Sequence, residues 1–178
     1  QHITEEMWER VNGIHLALND PGRRAEWAQQ PHGFFQTVRE AAALFDGAVN
    51  DGLTRDQAWL FLQLGLFVER AGGTARLLET QLRDADPAPG PHLTLDEQLE
   101  WICLLRACDS LELYRRRCRT EYRPDGIVRF LIADPLSPRS IRYAFDRLSS
   151  TLSALAEAVP GQIAVTVDSA VSAVIDAS

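Results

Sequence analysis

Apolar residues recur at intervals of three and four along almost the whole chain, and this period constrains the fold more than any other feature. Residues three and four apart share one face of an α-helix, whereas a half-buried strand needs alternation, of which the chain has no convincing run. Proline and glycine clusters such as Asn19–Gly22 and Asp134–Pro138 interrupt the pattern. The sequence therefore predicts an all-α bundle of six or seven helices, in a single domain spanning residues 1–178.

Capping signals predict where several helices begin. Thr54 with Gln57 and Thr94 with Glu97 have the spacing of a capping box, in which two side chains satisfy free backbone amides reciprocally. Ser137 followed by Pro138 predicts a further helix start. The predicted helices are 4–18, 34–49, 54–83, 94–119, 124–132, 138–159 and 162–177, with residues 20–33 and 86–91 as connecting segments.

The charge balance argues against two classes of partner. All eighteen basic residues are Arg, and the twenty-five acidic residues leave a formal net charge of −7. A general binder of nucleic acid or of an anionic membrane needs a basic face, so neither partner is expected. No apolar run reaches the roughly 18 residues of a membrane span.

The spacing of the cysteines and the absence of several known motifs argue against most common metal, cofactor and catalytic sites. Cys103, Cys108 and Cys118 lack the spacing of a disulfide framework or a zinc site, so they predict a reducing compartment and a cytoplasmic location. The chain has no phosphate-binding loop, no dinucleotide fingerprint, no zinc-protease helix and no nucleophile elbow. The sequence therefore predicts no metal site and no cofactor.

Charged residues stand in the apolar part of the longest predicted helix. Glu69 and Arg76 are two turns apart and share a face, while Arg70 lies one turn from Thr74. Because the flanks are apolar, we expect at least one of these charges to be partly buried and the charges to satisfy one another away from water. The cluster is interpreted either as an internal ion-pair lattice or as a polar pocket for a ligand or peptide.

The Gly72-Gly73 pair lies inside the same helix, where each glycine costs roughly 1 kcal/mol relative to Ala. Either another helix crosses closely at this point or some other group approaches the backbone.

Two further groups are candidates for binding. Tyr114 and Arg115 precede more arginines near the end of a predicted helix, which is either a solvated helix end or an anion-binding patch. Asp134, Arg139 and Ser140 surround the start of the next helix, which is either a well-made cap or a phosphate or carboxylate site.

Several segments together resemble the alpha-E family of bacterial all-helical domains. Their order and spacing hold from Ile3 to about Leu148. The matching segments are 3–9, 59–65, 69–71, 74–78, Trp101 with 104–106, 114–115, 130–131, 134–135 and 138–140. Family members look like two related halves, each with its own Glu-Arg helix. This chain resembles the second, C-terminal half, and Gln1 in place of Met predicts that it is part of something longer.

The resemblance implies association with circularly permuted ATP-grasp ligases and transglutaminase-like proteins, and it implies work on a peptide or amide-linked product. It assigns no catalytic residue. The leading hypothesis is a helical accessory module that docks on the ligase or presents its substrate. The alternatives are an enzyme that uses Glu69, Arg70 and Arg76 on a peptide-like substrate, and a homo-oligomeric scaffold.

Overall fold

The computed structural model describes residues 4–84, 93–118 and 122–158. These residues form eight α-helices and no strand, so the all-α class is confirmed. The helices are α1 (Glu5–Asn19), α2 (Pro21–Gln29), α3 (Pro31–Gly52), α4 (Gln57–Asp84), α5 (Leu95–Ala107), α6 (Leu111–Arg117), α7 (Pro124–Ala133) and α8 (Ile141–Ala158). No helix of the described segments is long and apolar enough to cross a membrane.

One helix lies where the sequence predicted a loop. The Asp20 carboxylate follows the end of α1 and accepts from the backbone N of Gly22 at 2.7 Å and of Arg23 at 3.1 Å. Pro21 occupies the first helical position, where its missing N–H costs nothing. The residues that end α1 therefore also begin α2, which is why the loop prediction for residues 20–33 was wrong.

The predicted helix 94–119 is two helices in the structure. The Thr94–Glu97 capping box at its start is confirmed, with Thr94 N 2.7 Å from Glu97 Oε2. Asp109 has a φ of 49°, in the left-handed region that ends a helix. The chain therefore turns after Ala107 and begins α6 at Leu111.

Two other helix starts differ from the prediction. Asp56, not Thr54, caps α4, since its carboxylate accepts from the backbone N of Ala58 at 2.9 Å. Ser140, not Ser137, caps α8, with its hydroxyl 3.0 Å from the backbone N of Tyr143. In both cases a better-placed side chain nearer the helix satisfies the free amides.

The chain divides into two compact units, Gln1–Trp59 and Leu60–Ser178. In the first unit, α1 packs on α3 around the buried residues Met7, Ala48 and Val49. In the second unit, α4 to α7 contribute a larger core. Its members are Leu78, Trp101, Leu104, Leu105, Cys108, Leu111, Tyr114, Ile127, Phe130 and Leu131. The single domain stays a prediction, and the predicted connector 86–91 and helix 162–177 lie outside the described residues.

Candidate functional site

The loop that joins α7 to α8, residues 134–140, contains three of the predicted site residues and is held from within by Asp134. The Asp134 carboxylate accepts from the backbone N of Leu136 at 2.8 Å and of Ser137 at 2.9 Å. It also forms an ion pair with Arg117 Nε at 3.2 Å, and its side chain is only 11% exposed. A carboxylate with three such donors is a structural anchor of the loop.

Ser140 ties the other end of the 134–140 loop to its beginning. Its buried hydroxyl donates to the carbonyl oxygen of Asp134 while accepting from the backbone N of Tyr143. Its own backbone N donates to the carbonyl of Ser137 at 2.9 Å. The interpretation of these residues as a helix cap therefore describes what Ser140 does in the structure.

Thr74 of α4, which lies outside the 134–140 loop, forms a hydrogen bond with the backbone of this loop. Its hydroxyl is buried and donates to the carbonyl oxygen of Arg139 at 2.9 Å, across 65 residues of sequence. The Cys108 thiol lies beside them, and burial raises the pKa of Cys108, partly opposed by the Arg139 charge and a hydrogen bond with Thr74. The structure thus brings Thr74 together with Asp134, Arg139 and Ser140, residues that the sequence singled out in two separate segments.

Tyr114 and Arg115 have different environments although they are adjacent. Tyr114 is 1% exposed and packs edge-on against Phe130, with ring centroids 5.3 Å apart. A Cβ added to Gly126 would lie 3.0 Å from the Tyr114 hydroxyl oxygen, so glycine provides the room for this ring. Tyr114 is therefore a core residue.

Arg115 lies on the surface of α6. Its Nε donates to the Tyr122 hydroxyl at 2.6 Å and its Nη1 contacts Glu112 Oε1 at 3.0 Å. The hydrogen bond to Tyr122 raises the pKa of Arg115 above its usual value, with the Glu112 carboxylate acting in the same direction. Arg115 thus links Tyr122, which lies just before α7, to α6.

The Glu69–Arg76 ion pair forms as expected, but it lies on an exposed side of α4 and not in the core. Glu69 Oε1 lies 3.0 Å from Arg76 Nη2, so the pairing is confirmed. The two side chains are 78% and 67% exposed, so the expected shielding from water is wrong for both. The face of α4 that carries them points away from the core, because Phe67 and Thr74 occupy the buried side. Within the described residues, Glu69 therefore lacks the dry pocket that a catalytic carboxylic acid would need.

Arg70 is half-buried, as expected for at least one charge of this cluster. Its guanidinium lies 5.6 Å from the centroid of the Phe67 ring, and Arg147 of α8 lies 5.7 Å from the same centroid. Two cations therefore cover one buried aromatic ring, an arrangement that stabilises the contact between α4 and α8.

The Gly72-Gly73 pair is not explained by a close helix crossing among the described residues. A Cβ added to Gly73 would meet none of their atoms within 4 Å, and one added to Gly72 would meet only the Arg76 guanidinium, at 3.6 Å. The expectation of close packing at this point within the described part of the chain was therefore wrong.

Sequence reasoning missed Arg117 and Cys108 as neighbours of the loop, and it missed a groove between α4 and α5. The groove has a volume of about 400 Å³ and a mostly apolar lining that includes Leu77, Leu99 and Cys103. The local sequence pattern does not indicate these contacts, because each of them joins residues that are far apart in the sequence. Across the described segments, no three His, Cys, Asp or Glu side chains are grouped so that they could hold a metal ion.

Comparison with known proteins gives a family and distant relatives. Residues 1–174 match the family described as Alpha-E, a predicted alpha-helical domain with a conserved ER motif. The Glu-Arg dipeptide occurs twice in this chain, at Glu9-Arg10 and at Glu69-Arg70. Uncharacterised proteins of Mycobacterium bovis and Mycobacterium tuberculosis are 27% identical over 107 residues, which are 60% of this chain.

Those 107 aligned residues make up only 11% of each mycobacterial protein. No solved structure matches the chain. The family match covers nearly the whole chain, and the all-α architecture agrees with it. The chain therefore belongs to the Alpha-E family of helical domains.

Proposed function

We propose that this chain is a helical accessory module of an ATP-grasp amide or peptide ligase system, which docks on the ligase or presents its peptide-like substrate. The circularly permuted ATP-grasp ligases and transglutaminase-like proteins are the partners that the family resemblance implies. The proposed location is the reducing cytoplasm, in keeping with the three free cysteines Cys103, Cys108 and Cys118.

The observation that carries this proposal is the construction of the 134–140 loop. The side chains of Asp134, Ser140 and Thr74 each form a hydrogen bond with the backbone of this loop. The side chains of Ser137 and Ser140 are fully buried. The same loop leaves Leu136 65% exposed, between two exposed prolines. A loop with fixed backbone and an outward apolar side chain can bind a partner with little loss of conformational entropy, as a docking element should.

The chemistry of the anchoring side chains points the same way. The hydroxyl groups of Thr74 and Ser140 both donate to backbone carbonyls, so each is engaged in support of the loop. A nucleophile would need its hydroxyl directed at a general base. In addition, the aligned region forms 11% of each mycobacterial relative, which favours a module that works beside other domains.

The direct test measures binding of the cognate ATP-grasp ligase to the wild-type chain and to two leucine variants. We expect Leu136→Ala to weaken binding at least tenfold, about 1.4 kcal/mol, because it removes the exposed centre of the loop. Leu95→Ala is the matched control, since Leu95 is 72% exposed on α5, away from the loop in sequence. The turnover of the ligase with and without the chain is measured in parallel.

The outcomes separate the alternatives. Loss of binding in Leu136→Ala alone supports docking through the loop, whereas equal affinity of both variants places the contact elsewhere. Absence of association together with unchanged ligase turnover would remove the proposal. A transglutaminase-like protein from the same organism is tested as the second partner in the same assay.

A further inference from the structure

The side of α4 opposite the core forms an outward face that no described helix of the second unit covers. Phe67, Thr74 and Leu78 are the buried residues of the same stretch of helix. With about 100° between successive residues, the positions on the opposite side follow directly. The outward face consists of Leu62, Gly65, Glu69, Gly72, Gly73, Arg76, Thr80 and Arg83, with Val68 and Leu77 on its two flanks.

The outward face carries two glycines for which close packing within the described chain gives no reason. A Cβ added at Gly65 or at Gly73 would meet no described atom within 4 Å. Glycine weakens a helix interior compared with alanine, because it has more conformational freedom to lose. A glycine on an open helix face is useful where a second backbone approaches from outside, since helix axes come closest where side chains are small.

The two charges nearest the glycine pair on the outward face are placed symmetrically about it. Glu69 lies three residues before Gly72, and Arg76 lies three residues after Gly73. Val68 and Leu77, which are 60% and 39% exposed, are likewise equidistant from the pair. If a second α4 lay antiparallel across this point, Glu69 of each copy would face Arg76 of the other, while Val68 and Leu77 would stay on opposite flanks of the contact.

We propose that two copies of this protein associate through the outward face of α4, antiparallel, with the two-fold axis at Gly72-Gly73. A two-fold interface uses the same patch on both subunits and must therefore be complementary to itself. The order Glu69, Gly72, Gly73, Arg76 meets this condition, whereas a partner of one charge sign would match only one end of the face. The exposed ion pair within each copy would be exchanged for two pairs between copies. This inference does not depend on the proposed link to a ligase.

The first test is the mass of the protein in solution, measured by analytical ultracentrifugation over a wide concentration range. We expect a dimer for the wild type and a monomer for Gly73→Leu, because the added side chain would separate the two backbones. The space around Gly73 is open within the described chain, so the variant should keep its helix content and melting temperature. Gly47→Leu is the control, since Gly47 lies in α3 with equally open space and should leave the dimer intact.

The second test is reversal of the charges. Glu69→Arg and Arg76→Glu each place like charges opposite one another in the dimer, so each should weaken association at least tenfold. The double variant restores opposite charges and should dimerise like the wild type. A monomeric wild type, a dimeric Gly73→Leu protein, or a double variant that fails to dimerise would each overturn the proposal.

Discussion

The two compact units of the chain bury different amounts and different kinds of side chain. Among the described residues, the buried core cluster of Gln1–Trp59 consists of Met7, Ala48 and Val49 alone, whereas that of Leu60–Ser178 has ten members. The first unit leaves several large apolar side chains exposed. These are Trp8, Val11, Leu16, Phe35 and Leu44.

The second unit also contains all the buried polar residues of the described segments. They are Thr74, Ser110, Ser137, Ser140 and Thr151. A buried hydroxyl needs a hydrogen-bond partner, and the second unit supplies one to Thr74 from a residue 65 positions away and one to Ser140 from within the same loop. Buried polar contacts therefore add to apolar packing in the larger second unit, whereas the described residues of the first unit bury no polar side chain.

The largest effect is expected in the core of the second unit. Leu131→Ala removes a side chain that is 0% exposed, so it should lower the free energy of unfolding by about 2–5 kcal/mol. Ile132→Ala, at the adjacent 43% exposed position of α7, should change it by no more than about 0.5 kcal/mol. Urea unfolding followed by circular dichroism measures both, and similar losses in the two variants would contradict the assigned core.

The comparison between units is tested most directly by Met7→Ala. Met7 is 1% exposed and belongs to a core of three residues, so its loss should cost about 2 kcal/mol. Hydrogen exchange should then speed up in α1 and α3 while the amides of α5 to α7 keep their protection. Leu16→Ala, at a 61% exposed position of α1, is the control. Equal loss of protection in both units would contradict the expectation that the loss of Met7 affects the first unit alone.

A smaller effect is expected from the buried polar contact of the second unit. Thr74→Val keeps the side-chain shape but leaves the Arg139 carbonyl without its donor, which should cost about 1–3 kcal/mol. Thr80→Val is the control, because the exposed Thr80 hydroxyl donates only to the carbonyl of Arg76 in its own helix. If both variants lose the same stability, the loop is not held by Thr74.

The free energy of unfolding at high pH should depend on the buried Cys108 thiol of the second unit. Burial raises the pKa of Cys108 above 9.0, its ordinary value, so the folded state binds this proton more tightly than the unfolded state. The stabilisation is complete below about pH 9 and is lost as the pH rises through the raised pKa. Urea unfolding at several pH values should show a steeper alkaline decline in the wild type than in Cys108→Ala. Cys103→Ala, which changes an exposed thiol, should decline like the wild type.

The smallest effect is expected at the exposed ion pair of α4. In the Gly73→Leu background, which keeps the protein monomeric under the dimer proposal, Glu69→Gln removes one charge of a pair whose side chains are 78% and 67% exposed, so the free energy of unfolding should change by less than about 0.5 kcal/mol. The measurement is thermal unfolding at low and at high salt. A loss of several kcal/mol would show that the pair is shielded from water after all.

Part of the candidate site was predictable from the sequence. Residues Thr74, Asp134, Arg139 and Ser140 were selected because polar residues stood beside helix ends or on an apolar helix, and the structure brings them together. Their roles were less predictable, because the bond between Thr74 and Arg139 joins residues 65 positions apart. The Glu69–Arg76 contact followed from helix geometry, but its exposure depended on which face of α4 the rest of the second unit covers.

The sequence by itself determined the features that arise within a few residues of the chain. The 3.6-residue period and the capping box of Thr94 and Glu97 depend on local order, since helix hydrogen bonds join residues four apart. The family membership is also carried by the sequence, but over residues 1–174. Which side chains leave water was decided by the tertiary structure, because burial depends on packing between helices that are distant in sequence. Thr74 and Glu69 lie on one helix only five residues apart, and their different fates follow from the helices that pack on one side of α4 and not on the other.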